Sequence, residues 1–157
     1  MSKIIFPIII FILAGFMIYR TWTNNKVSDE NFAAGQAFLI ENGKQEGVIT
    51  TESGLQYQIL VKSEETAKPT TSNTVKVHYH GTLIDGTVFD SSVERGEPIS
   101  FKLNQVIKGW QEGLTYMSPG DKFRLFIPSP LAYGKNGTGP IPPASTLIFD
   151  VELLEIQ

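Results

Sequence analysis

The run VKVHYHGTLIDGTVFDSS, Val75 to Ser92, alternates apolar Val75, Val77 and Tyr79 with polar Lys76, His78 and His80, then reaches Asp85-Gly86. Alternation of period two sends successive side chains to opposite faces of a strand, and Asp-Gly accepts the positive φ of a tight hairpin. The run therefore predicts a half-buried strand, a turn and a second strand that carries Phe89 directly before the carboxylate of Asp90. A lone acid beside an aromatic ring raises the question of what the two residues line together.

The same period recurs outward from this hairpin. Leu55, Tyr57 and Ile59 alternate with Gln56 and Gln58; Phe123, Leu125 and Ile127 alternate with Lys122, Arg124 and a less polar Phe126; Leu147, Phe149, Val151 and Leu153 form the last strand. Gln105 to Leu114 changes period, with Val106, Ile107, Trp110 and Leu114 on one helical face, and Ser118-Pro119-Gly120-Asp121 reads as a turn. The expected fold class is α+β: an antiparallel twisted β-sheet wrapped over one short α-helix. A chain of 157 residues suits one such domain with an appendage.

Ile4 to Tyr19 contains no charge, Lys3 precedes it, and Tyr19, Arg20 and Trp22 follow like interfacial anchors. Its sixteen residues reach roughly 24 Å as a helix, against a hydrocarbon core of about 30 Å. Residues 1–23 are thus expected to be a membrane anchor or signal segment, and Thr21-Trp22-Thr23 is a poor cleavage site. Lys3 against Arg20 and Lys26 leaves the orientation undecided. Residues 24–47 read as a linker with an amphipathic helix: 24–28 is a polar break, Ser28 caps a helix that Gly43 ends, and Phe32, Ala33, Ala37, Leu39 and Ile40 form its apolar stripe. That stripe must rest on the following domain (48–157), a second copy or lipid.

Composition excludes several functions. A net charge of −3 gives no basic field for nucleic acid, and the absence of cysteine removes disulfides, thiolate nucleophiles and zinc-thiolate sites. His78 and His80 share a strand face but no motif supplies a third metal ligand; Ser91, His80 and Asp90 lack a nucleophile elbow; Gly134 to Gly139 (GKNGTG) lacks the spacing of a phosphate loop. Neither a metal nor a cofactor is expected. What remains is a set of large apolar residues, Tyr79, Phe89, Val106, Ile107, Trp110, Tyr133, Ile141 and Phe149, several beside loops. The residues alone leave it open whether these fill a core or line a pocket.

VHYHGTLIDGTVFDSS, VIKGWQEGLTYMSPGDKFRLFIP, LAYG and IPPASTLIFDVELL resemble the FKBP-type peptidyl-prolyl cis-trans isomerases, over nearly all of Val48 to Gln157. Phe38 to Leu60 further resembles the bacterial branch of macrophage infectivity potentiator proteins, whose members often work outside the cytoplasm. The resemblance implies catalysis by Tyr79, Asp90 and Tyr133 in a proline pocket built from Phe89, Ile99, Val106, Ile107, Trp110, Ile141 and Phe149, with Arg95 pairing the acid. Ile99 departs from the aromatic wall of many relatives. The loop from Tyr133 to Pro143 is about one residue shorter than in small eukaryotic members and carries Thr138 where they often have histidine. Implied partners are proline-containing polypeptides, FKBP-directed macrolide inhibitors, the membrane through the N-terminal segment and, given a shorter helical region than that branch carries, at most a weak homodimer. The implied place is the cell envelope, with an inner-membrane anchor and a periplasmic isomerase domain or, after cleavage, a periplasmic protein. A proline-binding chaperone or a membrane-tethered adaptor with little turnover is the competing reading.

Overall fold

The computed structural model describes residues 2–157, with side-chain surroundings from residue 9 onward. A long helix, α1 (Ser2–Asn42), leads into seven strands: β1 (Val48–Thr50), β2 (Gln56–Val61), β3 (Thr74–Leu83), β4 (Val88–Ser91), β5 (Ile99–Lys102), β6 (Lys122–Ile127) and β7 (Leu147–Ile156). Two short helices, α2 (Ser92–Arg95) and α3 (Lys108–Leu114), lie between β4 and β6. The strands form one antiparallel sheet in the order β1-β2-β6-β7-β3-β4, and β5 pairs with the other half of the β3 edge that β4 leaves free.

This is the expected sheet over one helix, and the alternation explains its core. Val75, Val77, Tyr79, Phe123, Leu125, Ile127, Leu147, Phe149, Val151 and Leu153 all point inward and are buried. The packed helix α3 starts later than the sequence pattern predicts, because Leu103–Gln105 forms a separate 3-10 turn. It presents Gly109, Trp110, Gly113 and Leu114 to the sheet. A Cβ at Gly109 would stand 2.5 Å from Ile127, and one at Gly113 2.8 Å from Leu125, so the helix sits against the sheet at backbone distance. The two glycines weaken the helix intrinsically, and close packing offsets that cost.

The turn after α3 is fixed by Asp121, whose side chain is fully buried. Its carboxylate accepts from the backbone N–H of Ser63 (2.7 Å) and Ser118 (2.9 Å) and from Lys62 Nζ (2.9 Å). Burial alone would raise its pKa, but these donors outweigh burial and hold it below the usual carboxylate range. A depressed folded value contributes stability that is present above the unfolded pKa and lost as pH falls through the folded one. Asp121→Ala is therefore expected to cost about 2–3 kcal/mol at neutral pH, because a buried N–H group, a half-buried one and a lysine lose their acceptor. Its urea midpoint should also fall less steeply in acid than that of the unsubstituted chain, and parallel acid limbs would refute the assignment.

The N-terminal region departs from expectation. The break predicted at residues 24–28 is absent, since α1 runs through it without interruption to Asn42. None of Asn24, Asn25, Lys26, Val27 or Ser28 is proline or glycine, so these polar residues continue the helix rather than end it. Ser28 is buried within the helix instead of capping it. Of the predicted stripe only Leu39 is buried; Phe32 and Ile40 are exposed. The face that meets the rest of the chain is built from Ser28, Asn31, Gly35, Phe38, Leu39 and Asn42, the first part of it against the loop before β7 and the last against the sheet. Gln56 Nε2 donates to Leu39 O (2.8 Å), Asn42 Nδ2 donates to Gln56 Oε1 (2.8 Å), and the rings of Phe38 and Phe126 lie 6.1 Å apart. This cover explains why Gln56 and Phe126 are buried on the face of the sheet that alternation assigns to solvent.

Residues 1–8, about a third of the expected membrane segment 1–23, lie outside the described side chains. Among the described residues no helix is long and apolar enough to cross a membrane.

Candidate active site

The inner face of the sheet, α3 and the loop before β7 enclose a cavity of about 660 Å³. All eleven residues predicted for the site line it. Tyr79 comes from β3, Phe89 and Asp90 from β4, Arg95 from α2, Ile99 from β5, Val106 and Ile107 from the approach to α3, Trp110 from α3, Tyr133 and Ile141 from the loop, and Phe149 from β7. Phe101, Gln105, Thr138 and Pro140 line it too. Phe101 was legible in principle, because it stands two residues from Ile99 on the same strand and so on the same face.

The floor is aromatic and edge-to-face. The Trp110 indole lies 5.3 Å from Tyr79 at 79°, 5.6 Å from Phe101 at 88° and 5.2 Å from Phe149 at 82°. Phe149 in turn meets Phe89 at 5.3 Å and 88°. Positive ring edges against negative ring faces fix each orientation beyond simple area burial. Trp110 Nε1 is buried with no hydrogen-bond partner among the described residues, which marks how apolar this floor is.

Adjacent residues on a strand normally face opposite ways, yet Phe89 and Asp90 both reach the cavity. The ladder between β3 and β4 explains this. Gly81 pairs with Asp90 and Thr82 with Val88, so Phe89 is an extra residue in β4, a bulge. A bulge bends and twists the strand enough to bring both side chains to one side. Gly81 opposite makes room, because a Cβ there would stand 2.7 Å from Phe89 Cζ and 2.8 Å from Phe149 Cε1. Gly81→Ala is expected to destabilise the fold by about 1–3 kcal/mol and to narrow the cavity. Denaturation and ligand titration of the variant check this, and wild-type values in both would refute the crowding.

Past β4 the chain turns at two serines. Ser91 Oγ accepts from Glu94 N (3.1 Å) and caps α2, while Ser92 Oγ accepts from Tyr79 N (2.7 Å), replacing the strand partner that β4 no longer supplies. The rings of His78 and His80 pair with these hydroxyls, His78 Nδ1 with Ser92 Oγ and His80 Nδ1 with Ser91 Oγ, both at 2.8 Å. With α2 anchored this way, Arg95 reaches the site. Its Nη1 donates to Asp90 Oδ1, its Nη2 donates to the Tyr79 hydroxyl (3.0 Å), and that hydroxyl donates to Asp90 Oδ2 (2.6 Å). Burial opposes the Asp90 charge, but the Tyr79 and Arg95 bonds outweigh it and hold the carboxyl below its usual range. Burial and the Asp90 carboxylate push Tyr79 up, and burial with the charge of Asp90 pushes Tyr133 up, so both phenols remain donors. The result is one fixed negative edge on an otherwise apolar hollow.

A family model described as FKBP-type peptidyl-prolyl cis-trans isomerase matches residues 65–154, more than half the chain. The chain belongs to this family. A second model, described as the domain amino terminal to FKBP-type peptidyl-prolyl isomerase, matches residues 12–59, spanning most of α1 through β2. Among curated relatives, the chain is 58% identical over 125 residues to the FKBP-type 22 kDa peptidyl-prolyl cis-trans isomerase of Escherichia coli, covering 79% of this chain and 60% of that protein. It is 46% identical over 142 residues to the outer membrane protein MIP of Legionella longbeachae, covering 90% of this chain and 60% of that one. The crystal structure of FkpA from Escherichia coli superposes with a TM-score of 0.87 at 44% identity, over 95% of this chain and 71% of that one. The FKBP chain thus spans about half to three fifths of the length of the curated relatives it matches.

Proposed function

We propose that this FKBP chain catalyses cis-trans isomerisation of X-Pro bonds in polypeptide substrates without a covalent step. One observation carries the reading: a hollow floored by edge-to-face aromatic rings, whose single carboxylate is held by Tyr79 and Arg95. Rotation about the imide breaks amide resonance, a barrier of about 18–20 kcal/mol that makes the step take tens to hundreds of seconds unaided. The twisted amide carries a less polar carbonyl than the planar one. An apolar hollow therefore favours the twisted state, whereas water favours the planar one by hydrogen-bonding its oxygen. Each tenfold in rate requires about 1.4 kcal/mol, a size that solvent exclusion and orientation can supply.

In this reading the proline ring rests on Trp110 among Phe89, Ile99, Val106, Ile107, Ile141 and Phe149. Asp90, positioned by Arg95 and Tyr79, presents its charge to the substrate amide, and Tyr133 donates to a substrate carbonyl. FKBP-directed macrolides would compete for the same surface. A protease-coupled assay on a proline peptide tests the activity: folded chain that adds nothing to the uncatalysed rate would end the isomerase reading. In a Trp22→Phe background Trp110 is the sole indole, so its fluorescence reports peptide binding separately from turnover. Binding without turnover would favour a proline-binding chaperone or adaptor, a reading supported by the exposure of Phe11, Phe16, Met17, Ile18 and Trp22 along α1.

We also place the chain in the cell envelope, divided into a membrane-directed segment (1–23), an arm (24–47) and the isomerase body (48–157). The support is the uncharged run from Ile4 to Tyr19 and the likeness to a relative named as an outer membrane protein. Fractionation and protease accessibility in intact and opened cells, with the mass of the mature chain, test placement and cleavage. Sedimentation tests for a weak homodimer.

A further inference from the structure

We infer that α1 is a positioning element for the substrate-binding loop: through Asn31 and Gly35 it sets where Pro140 and Ile141 stand at the mouth of the cavity. The inference rests on the isomerase reading. Asn31 Nδ2 donates to the carbonyl of Pro143 (2.8 Å), a contact across 112 residues of sequence. One turn further, Gly35 meets Thr146 so closely that a Cβ on the glycine would lie 2.2 Å from Thr146 Oγ1 and 3.1 Å from Thr146 Cβ. These two contacts bracket Ala144, which is buried at a positive φ of 52°, a conformation that L side chains adopt only when their surroundings impose it.

From Ala144 the constraint passes back along the loop to the cavity. Ala144 N donates to Gly134 O (2.9 Å), next to Tyr133. Ile141 N donates to Thr138 O (2.8 Å) and Thr138 N donates to Ile141 O (3.0 Å), closing a small hairpin whose Thr138, Pro140 and Ile141 line the cavity. Pro142 and Pro143 restrict the backbone between this hairpin and the α1 contacts, so a displacement at Pro143 is transmitted rather than absorbed. The helix is the less yielding partner, because Gln56 holds Leu39 O and Asn42 just beyond Gly35.

The chemistry of the docked face supports positioning over bulk stabilisation. An arm that served only to add stability would bury most of its apolar residues, yet Phe32 and Ile40 stay exposed, and Ser28, Asn31, Gly35 and Asn42 share the docked face with only Phe38 and Leu39. The apolar contacts gather at its C-terminal end, and at Asn31 and Gly35 the face fixes distance and register.

The test uses the full chain. Gly35→Ala raises helix propensity, so its effect cannot come from a weakened helix. Its methyl should push Thr146 and the loop outward, raising KM for a proline peptide about 3–10-fold with kcat within about twofold. Thr146→Ala removes the oxygen that the methyl meets, so the double variant Gly35→Ala/Thr146→Ala should recover most of the lost KM. Asn31→Ala should raise KM in the same direction. If the unsubstituted chain turns over peptide and both single variants keep its KM, the positioning role is overturned while the isomerase reading stands. Loss of kcat, KM and denaturation midpoint together, with no recovery in the double variant, also overturns it. An unsubstituted chain without turnover overturns both.

Discussion

Replacing Trp110 with alanine is expected to cost about 3–5 kcal/mol of stability and to lower kcat/KM by more than about tenfold. The stability loss follows from position. Trp110 is buried on α3 and touches three rings at 5.2 to 5.6 Å, so its removal leaves a large void that Tyr79, Phe101 and Phe149 cannot fill without leaving their edge-to-face arrangement. That loss is a large fraction of the 5–15 kcal/mol typical of a domain. Trp110→Leu separates packing from chemistry, because it refills much of the apolar volume without restoring a flat surface. Its stability cost should shrink to about 1–3 kcal/mol while most of the activity loss persists. Urea denaturation and the proline-peptide assay measure the two quantities. Activity that recovers in step with stability in the leucine variant would show that the indole acts as filling rather than as floor.

The residues differ in how far the sequence reveals them, and the reason is geometric. Alternation identified Val75, Val77, Tyr79, Leu125 and Phe149 as inward-facing because strand period is a local property that the sheet then preserves. Trp110 could be assigned to a packed helical face for the same reason. Whether these rings filled a core or lined a hollow depended on β3, α3 and the loop before β7 coming together, and only the family resemblance supplied that arrangement in advance. Two features had no local signal. The bulge at Phe89 is a relation between two strands, so the Phe-Asp pair reads as alternating until its partner Gly81 is placed opposite. Apart from Phe38 and Leu39, the docked face of α1 is written in Ser28, Asn31, Gly35 and Asn42, which resemble an ordinary solvated face, whereas the hydrophobic Phe32 and Ile40 point away. Hydrophobic periodicity finds faces that bury oil, and much of this one is fixed by hydrogen bonds and by the absence of a side chain at Gly35.

Asp90→Leu should separate turnover from stability in the opposite sense to Trp110→Ala. The Asp90 carboxylate is partly solvated, with its side chain 43% exposed, and so is Arg95 at 51%, so breaking their pair leaves no buried charge stranded. Stability should therefore change by less than about 1 kcal/mol, the usual scale for exposed ion pairs. Tyr79 keeps one partner, because Arg95 Nη2 still donates to its hydroxyl. The reaction loses more. Leucine extends the apolar wall but removes the fixed negative charge facing the substrate amide, and kcat/KM should fall about tenfold or more. Asp90→Asn keeps the shape and an acceptor for Tyr79 while losing the charge, so it should lie between the two. The pH dependence supplies an independent check. Burial acts against the Asp90 charge, but Tyr79 and Arg95 more than compensate and lower its pKa in the folded state. The carboxylate therefore stays ionised through the range where free carboxylic acids protonate, and its contribution is lost only as pH falls through the depressed value. Turnover should stay level down to the ordinary carboxylate range and decline below it, a decline that Asp90→Leu removes. Equal losses of turnover and denaturation midpoint in Asp90→Leu, or an acid limb unchanged by it, would mean that the acid merely ties α2 to the sheet.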